Sequence, residues 1–230
     1  MIWMLIAALL PAILLGLFIW KKDPQPEPSK WIIRAILGGV IICFPVAFCE
    51  SFVSGLLFNG GEPTTLFGTT CEAFLVAALP EEGAKLLILW LLVLRNNPYF
   101  DEHFDGIVYA VFVSLGFAAI ENIFYVVGSG DGWVSVAATR ALLAVPGHYA
   151  FGILMGYYYS KYHFFDRSKK AAAKVLLVPV LAHGVYDSIA MSGAVDPIAG
   201  AISFFVLIWF CIKLQKYARR KIEELATSAA

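Results

Sequence analysis

Six side chains suited to moving protons lie inside apolar runs of this sequence: Glu81, Glu82, Glu121, His148, His183 and Asp187. Carboxylates set against imidazoles are groups that activate water. A carboxylate serves as general base, and an imidazole donates to the oxyanion that develops. Glu81 and Lys85 are four residues apart, so on a helix the lysine neutralises its own neighbour's carboxylate. His183 and Asp187 share that spacing, which lets the aspartate orient the imidazole while both aim into one cavity. Directed at an amide carbonyl, such a cavity performs peptide hydrolysis within a membrane.

The elements that must position these groups follow from composition. Of 230 residues, 60% are apolar and 15% charged, with a formal net charge of zero. A soluble domain holds about 45–50% apolar and about 25% charged residues. The balance excludes a disordered chain, a basic nucleic-acid binder and a water-soluble globule. Cys43, Cys49, Cys71 and Cys211 show no metal-knuckle spacing and read as small buried apolar groups. Crossing a bilayer takes about 20 mostly apolar residues. Seven stretches qualify, at about 2–20, 32–58, 66–94, 106–128, 133–159, 172–192 and 197–213. The expected fold is an all-α, polytopic bundle forming one integral membrane domain over 1–230.

Lysine and arginine set its direction. They flank the first, third and fifth connections and follow the last span, while 59–65, 129–132 and 193–196 carry none. The positive-inside rule then places the N-terminus outside and the C-terminus in the cytoplasm. Residues 1–20 lack a positive leading region and an A-x-A site, so they read as a retained helix. The linker at 21–30, with three prolines, reads as short and extended.

Of the seventeen lysines and arginines, only Lys85 and Arg140 are not accounted for by cytoplasmic ends; they lie within spans, beside the six acidic and imidazole groups and Glu50 and Glu72. An ionisable group at mid-bilayer costs about 2.5–3.5 kcal/mol on insertion scales, so these must face the bundle interior and find partners. At about 1.5 Å per residue, four helices place theirs within roughly 6–8 Å of one level. One shared polar cavity accounts for that. Arg140, Ala144, His148, Gly152 and Gly156 recur every fourth residue, a stripe where another helix approaches closely. Ser114, Ala118, Glu121 and Asn122 form a similar face. Arg140 reads as a counter-ion; Glu50 and Glu72, nearer span ends, read as structural.

Other protease signatures are missing: the sequence holds neither HExxH nor GxSG, and its near match to an aspartyl pair has the wrong order. His148, His183, Glu81 and Glu121 are also metal-ligand types, and their spacing neither requires nor excludes zinc. The same cluster would serve a proton- or metal-coupled transporter, though no inverted repeat is present.

Taken in order, P-E-E-G-A-K (80–85), the run from Asp105 to Tyr125, V-P-G-H (145–148), F-G-I-L-M-G (151–156) and H-G-V-Y-D (183–187) resemble the PrsW family. That family is distantly similar to the CAAX-prenyl endopeptidase group. The resemblance covers roughly residues 20 to 190 and includes the linker K-D-P-Q-P-E-P (22–28). It implies a protease of the bacterial cytoplasmic membrane that cuts a single-pass protein, such as an anti-sigma factor, in regulated proteolysis on its extracytoplasmic side. Glu81 then matches the water-activating base, Glu82 its partner, and His183 with Asp187 the last motif. Glu121-Asn122 and His148 match the middle motifs. Where the wider group has F-x-x-x-H, this sequence has Phe117-Ala118-Ala119-Ile120-Glu121, so the resemblance leaves both a cofactor-free glutamate mechanism and a zinc-dependent one open.

Overall fold

The computed structural model describes residues 1–59, 61–195 and 197–228. Gly60 and Asp196, in two of the connections without basic residues, therefore lie outside the described residues. The described chain is helical and contains no strand. Lipid offers no hydrogen bonds, so a backbone this apolar satisfies itself within helices.

Helix α1 covers Ile2–Trp20 and α2 covers Ser29–Phe58, ending at Asn59 in the left-handed conformation. Next come α3 (Leu66–Cys71), capped by the Thr65 hydroxyl, and α4 (Leu79–Ile88), joined by a π-helical stretch, Glu72–Ala78. A second π-helical stretch, Leu89–Leu94, follows. Helix α5 spans Asp105–Gly128. Helices α6 (Trp133–Thr139) and α7 (Val145–Ser160) flank another wide stretch, Arg140–Ala144. Ser168 caps α8 (Lys169–Met191), and α9 runs Pro197–Ser228.

Among the described residues, five helical segments are long and apolar enough to cross a membrane: α1, α2, α5, Lys169–Ala194 and Ile198–Ala226. The stretches 66–94 and 133–159 are helical throughout, but alternate α and π geometry. Their cause is visible in the sequence. Pro80 and Pro146 lack the backbone donor an α-turn needs, and each follows a residue bonded five positions back: Leu79 to Phe74, Val145 to Arg140.

Helix α5 is the hub of the bundle. Every residue from Phe104 to Ala118 is buried, whereas large apolar side chains of α1, α2 and α9 face outward. Close approach is built from glycine. A Cβ on Gly156 would overlap the Gly106 carbonyl, and one on Gly116 would overlap that of Ile36, so α7 and α2 lie backbone to backbone on α5.

Three local expectations change. The linker 21–28 does not run out extended; it turns and buries Asp23 and Glu27. Helix α9 continues beyond 213, because Leu207, Cys211, Leu214, Ala218, Ile222 and Leu225 keep a helical period and stay buried. Tyr157 donates to Glu224 there, and Lys161 lies 3.4 Å from the same carboxylate. Of the cysteines, Cys43 and Cys211 are buried, Cys71 is half-buried and Cys49 is exposed; all are free.

Candidate active site

The six sequence-predicted residues come together, carried by α4, α5, α7 and α8. Pro80 starts α4 directly before the acidic pair, and one helical turn later Lys85 reaches back to both. Its Nζ lies 2.8 Å from Glu81 Oε2 and 2.8 Å from Glu82 Oε1. Lys85 is 1% exposed and Glu82 0%, so this triad has exchanged water for mutual contact. The ammonium also sits over the Phe117 ring, 4.3 Å from its centre.

His183 faces the triad from α8. Its Nδ1 is 3.0 Å from Glu82 Oε1, while Nε2 is 3.1 Å from Asp187 Oδ2 and 4.0 Å from Glu81 Oε1. The Phe151 ring stacks on the imidazole with centroids 4.6 Å apart, which fixes its plane. His148 completes the group from α7, its ring centre 5.3 Å from that of His183. Lys85 Nζ donates to His148 Nδ1 across 3.2 Å, so the ring proton belongs on Nε2, which meets Glu121 Oε2 at 2.8 Å. The Ser114 hydroxyl donates to the His148 carbonyl at 2.7 Å and ties α7 to α5 at this level.

Glu121 is shared. Arg140 Nη2 lies 2.8 Å from the same Oε2, and Arg140 Nε donates to Asn122 Oδ1 at 2.6 Å. Asn122 in turn donates to the Ala8 carbonyl on α1. Arg140 is thus a counter-ion within the network, as its position in the sequence suggests.

A cavity of about 700 Å³ opens over these groups. Glu81, Glu121, His148, His183 and Asp187 line it, whereas Glu82 and Lys85 stand behind the wall. The predicted set therefore divides into groups that touch the cavity and groups that hold them. Glu50 and Glu72, read from sequence as structural, lie on the cavity wall. The signal was there: each is an acid in an apolar run, the same ground on which Glu81 was selected. Nearness to a span end concealed it.

Glu81, His148 and His183, all buried, each offer a ligand atom within 4.8 Å of the other two. Two features suit this donor set to a divalent metal. Each imidazole has its other nitrogen against a carboxylate, Glu82 for His183 and Glu121 for His148. The network's four carboxylates, Glu81, Glu82, Glu121 and Asp187, also outnumber its fixed cations Lys85 and Arg140 by two negative charges. The ammonium of Lys85, against Glu81 and His148, already sits where positive charge is favoured.

Comparison with known proteins gives the family. Residues 27–212 match the family described as PrsW family intramembrane metalloprotease. The chain is 36% identical to Protease PrsW of Bacillus subtilis, over 93% of this chain and 94% of that protein. It is 37% identical to the protein of the same name from Oceanobacillus iheyensis, over 91% and 92%, and to that of Geobacillus kaustophilus, over 76% and 73%. No solved structure matches it. With catalytic residue types gathered in an intramembrane cavity and a family match across most of its length, the chain belongs to the PrsW family of intramembrane metalloproteases and is a membrane protease.

Proposed function

We propose that this protease hydrolyses a peptide bond of a single-pass membrane protein of the anti-sigma-factor kind, using water activated by Glu81. The observation that carries the reading is the meeting of Glu81, His148 and His183 on one cavity wall. Lys85 occupies Glu81 Oε2, leaving Oε1 as the oxygen that takes a proton from water. His183, held between Glu82 and Asp187, supplies an N–H toward the carbonyl oxygen as negative charge develops there. Glu121 and Arg140 fix His148 on the opposite side. Glu81, His148 and His183 would also hold the family's metal. Bound there, a divalent ion supplies Lewis acidity toward the carbonyl and a more acidic water.

The chain crosses the bacterial cytoplasmic membrane seven times in this reading, with its N-terminus outside. The one-sided distribution of Lys and Arg supports it, as does the unbroken helical course of 66–94 and 133–159. Co-expression with a single-pass substrate tests the function: Glu81→Gln should insert normally and leave the substrate uncut. Cleavage by that variant at the wild-type rate would overturn the assignment. Metal analysis of the purified protein, with chelator added to a cleavage assay, tests the metal.

A further inference from the structure

A second cluster of carboxylates lies at the other end of α5, far from the cavity. Asp23 and Glu27 come from the linker between α1 and α2, Glu102 from the loop before α5, and Asp105 from its first turn. Asp23 is 7% exposed, Glu27 7% and Asp105 0%.

Their oxygens divide in a consistent way. Asp23 Oδ1 accepts from the Gln25 backbone N–H at 3.1 Å, and Glu102 Oε2 accepts from Gln25 Nε2 at 3.2 Å. Asp105 Oδ2 accepts the backbone N–H groups of Asp101 and Glu102 at 2.9 and 2.8 Å. The remaining oxygens, Asp23 Oδ2, Glu102 Oε1 and Asp105 Oδ1, are buried without a hydrogen-bond donor. The three side chains each offer an oxygen within 4.8 Å of the other two. Among the described residues, no lysine or arginine forms an ion pair with any of the four acids. Glu27 accepts from the Tyr109 hydroxyl and lies against Asp105. Burial first, then the charges of Glu102 and Glu27, pushes the Asp23 carboxyl up to about 7. Glu102 is raised chiefly by burial, with Asp101 adding to it and His103 opposing.

Buried acceptors are normally matched by donors, and exceptions call for a cause. Three in one place, on three separate carboxylates, point to a cation as the missing partner. We infer that Asp23, Glu102 and Asp105 form a binding site for a hard divalent cation of the magnesium–calcium class. An all-oxygen donor set selects that class over zinc or copper, which favour imidazole and thiolate. The ion clips the linker following α1 to the first turn of α5, and so sets the hub helix against α1 and α2 from the end opposite the cavity. Glu27, bonded to Tyr109, closes the cluster on its inner side.

The test is titration of the purified full-length chain, in detergent and freed of metal, with the chlorides of Mg²⁺, Ca²⁺ and Mn²⁺ alone, read by calorimetry and by melting temperature. Saturable binding of at least one ion, with a raised melting temperature, is expected. Asp23→Asn with Glu102→Gln should weaken it at least about tenfold, while His183→Ala, which removes a ligand type of the cavity cluster, should leave the Mg²⁺ and Ca²⁺ responses unchanged. Glu102→Gln alone, on a half-buried residue, serves if the double variant fails to insert, and should also weaken binding. No binding of any of the three ions, or equal binding by wild type and the Glu102 variants, overturns the site and leaves a proton-sharing carboxyl cluster.

Discussion

The two ends of α5 solve the burial of acids differently. Toward one end, Glu121 meets a guanidinium and an imidazole, and through His148 joins a network in which each carboxylate faces a nitrogen. About 24 Å away along the same helix, Asp105 meets backbone N–H groups on one oxygen and further carboxylates around the other. The first arrangement is nearly complete from the chain's own residues and lines a cavity. The second leaves three carboxylate oxygens without a donor. Buried charge alone therefore does not distinguish the proposed catalytic site from the proposed ion clip. What distinguishes them is that imidazoles and fixed cations pair with the carboxylates around a cavity at one end, whereas among the described residues no lysine or arginine pairs with those at the other.

Substitutions at the cavity end should have the largest effects. Glu81→Gln removes the proposed base and is expected to lower the cleavage rate by about 10²–10⁴, measured on a co-expressed substrate with insertion checked in parallel. Glu121→Gln weakens the hold on His148 without touching the base. It should cost about 10–100-fold in the same assay, or in metal affinity where metal content is read. If both variants cut equally well, the distinction between Glu81 as base and Glu121 as the residue that holds His148 fails. At the other end, the divalent-ion titration should change melting temperature in wild type and lose that change in the Glu102→Gln variant. Smallest of all, Tyr157→Phe removes the hydroxyl that Glu224 and Lys221 share at the end of α9. A loss of about 1 kcal/mol or less is expected from denaturation in detergent, with cleavage retained.

Much of the cavity end was legible in the sequence because lipid makes buried charge expensive. Glu81, Lys85, His183 and Asp187 sit one helical turn from their partners, and apolar runs on either side give them a depth. The Gly156 side of the α7 stripe was legible for the same reason, as small residues at a helical period permit close packing. Geometry made by proline was not. The π-helical stretches before Pro80 and Pro146 bond the backbone five positions back, a geometry that a regular helical period does not give. The acidic cluster was hidden too. Its members lie about 80 residues apart in two polar loops, where charge normally means solvent. Only folding brings Asp23 beside Glu102. In α9, the drop in hydropathy after residue 213 masked a periodicity that continues to Leu225.

The length of α9 bears on how this membrane protein can be handled. Reporter fusions used to map which side a terminus occupies are often joined where hydropathy falls, which here is near residue 213. Such a joint would remove Leu214, Ala218, Ile222 and Leu225 from their seats and strip Glu224 from Tyr157. A tag joined after residue 228 keeps that helical strut in place, and a fusion cut at 213 reports on a loosened bundle.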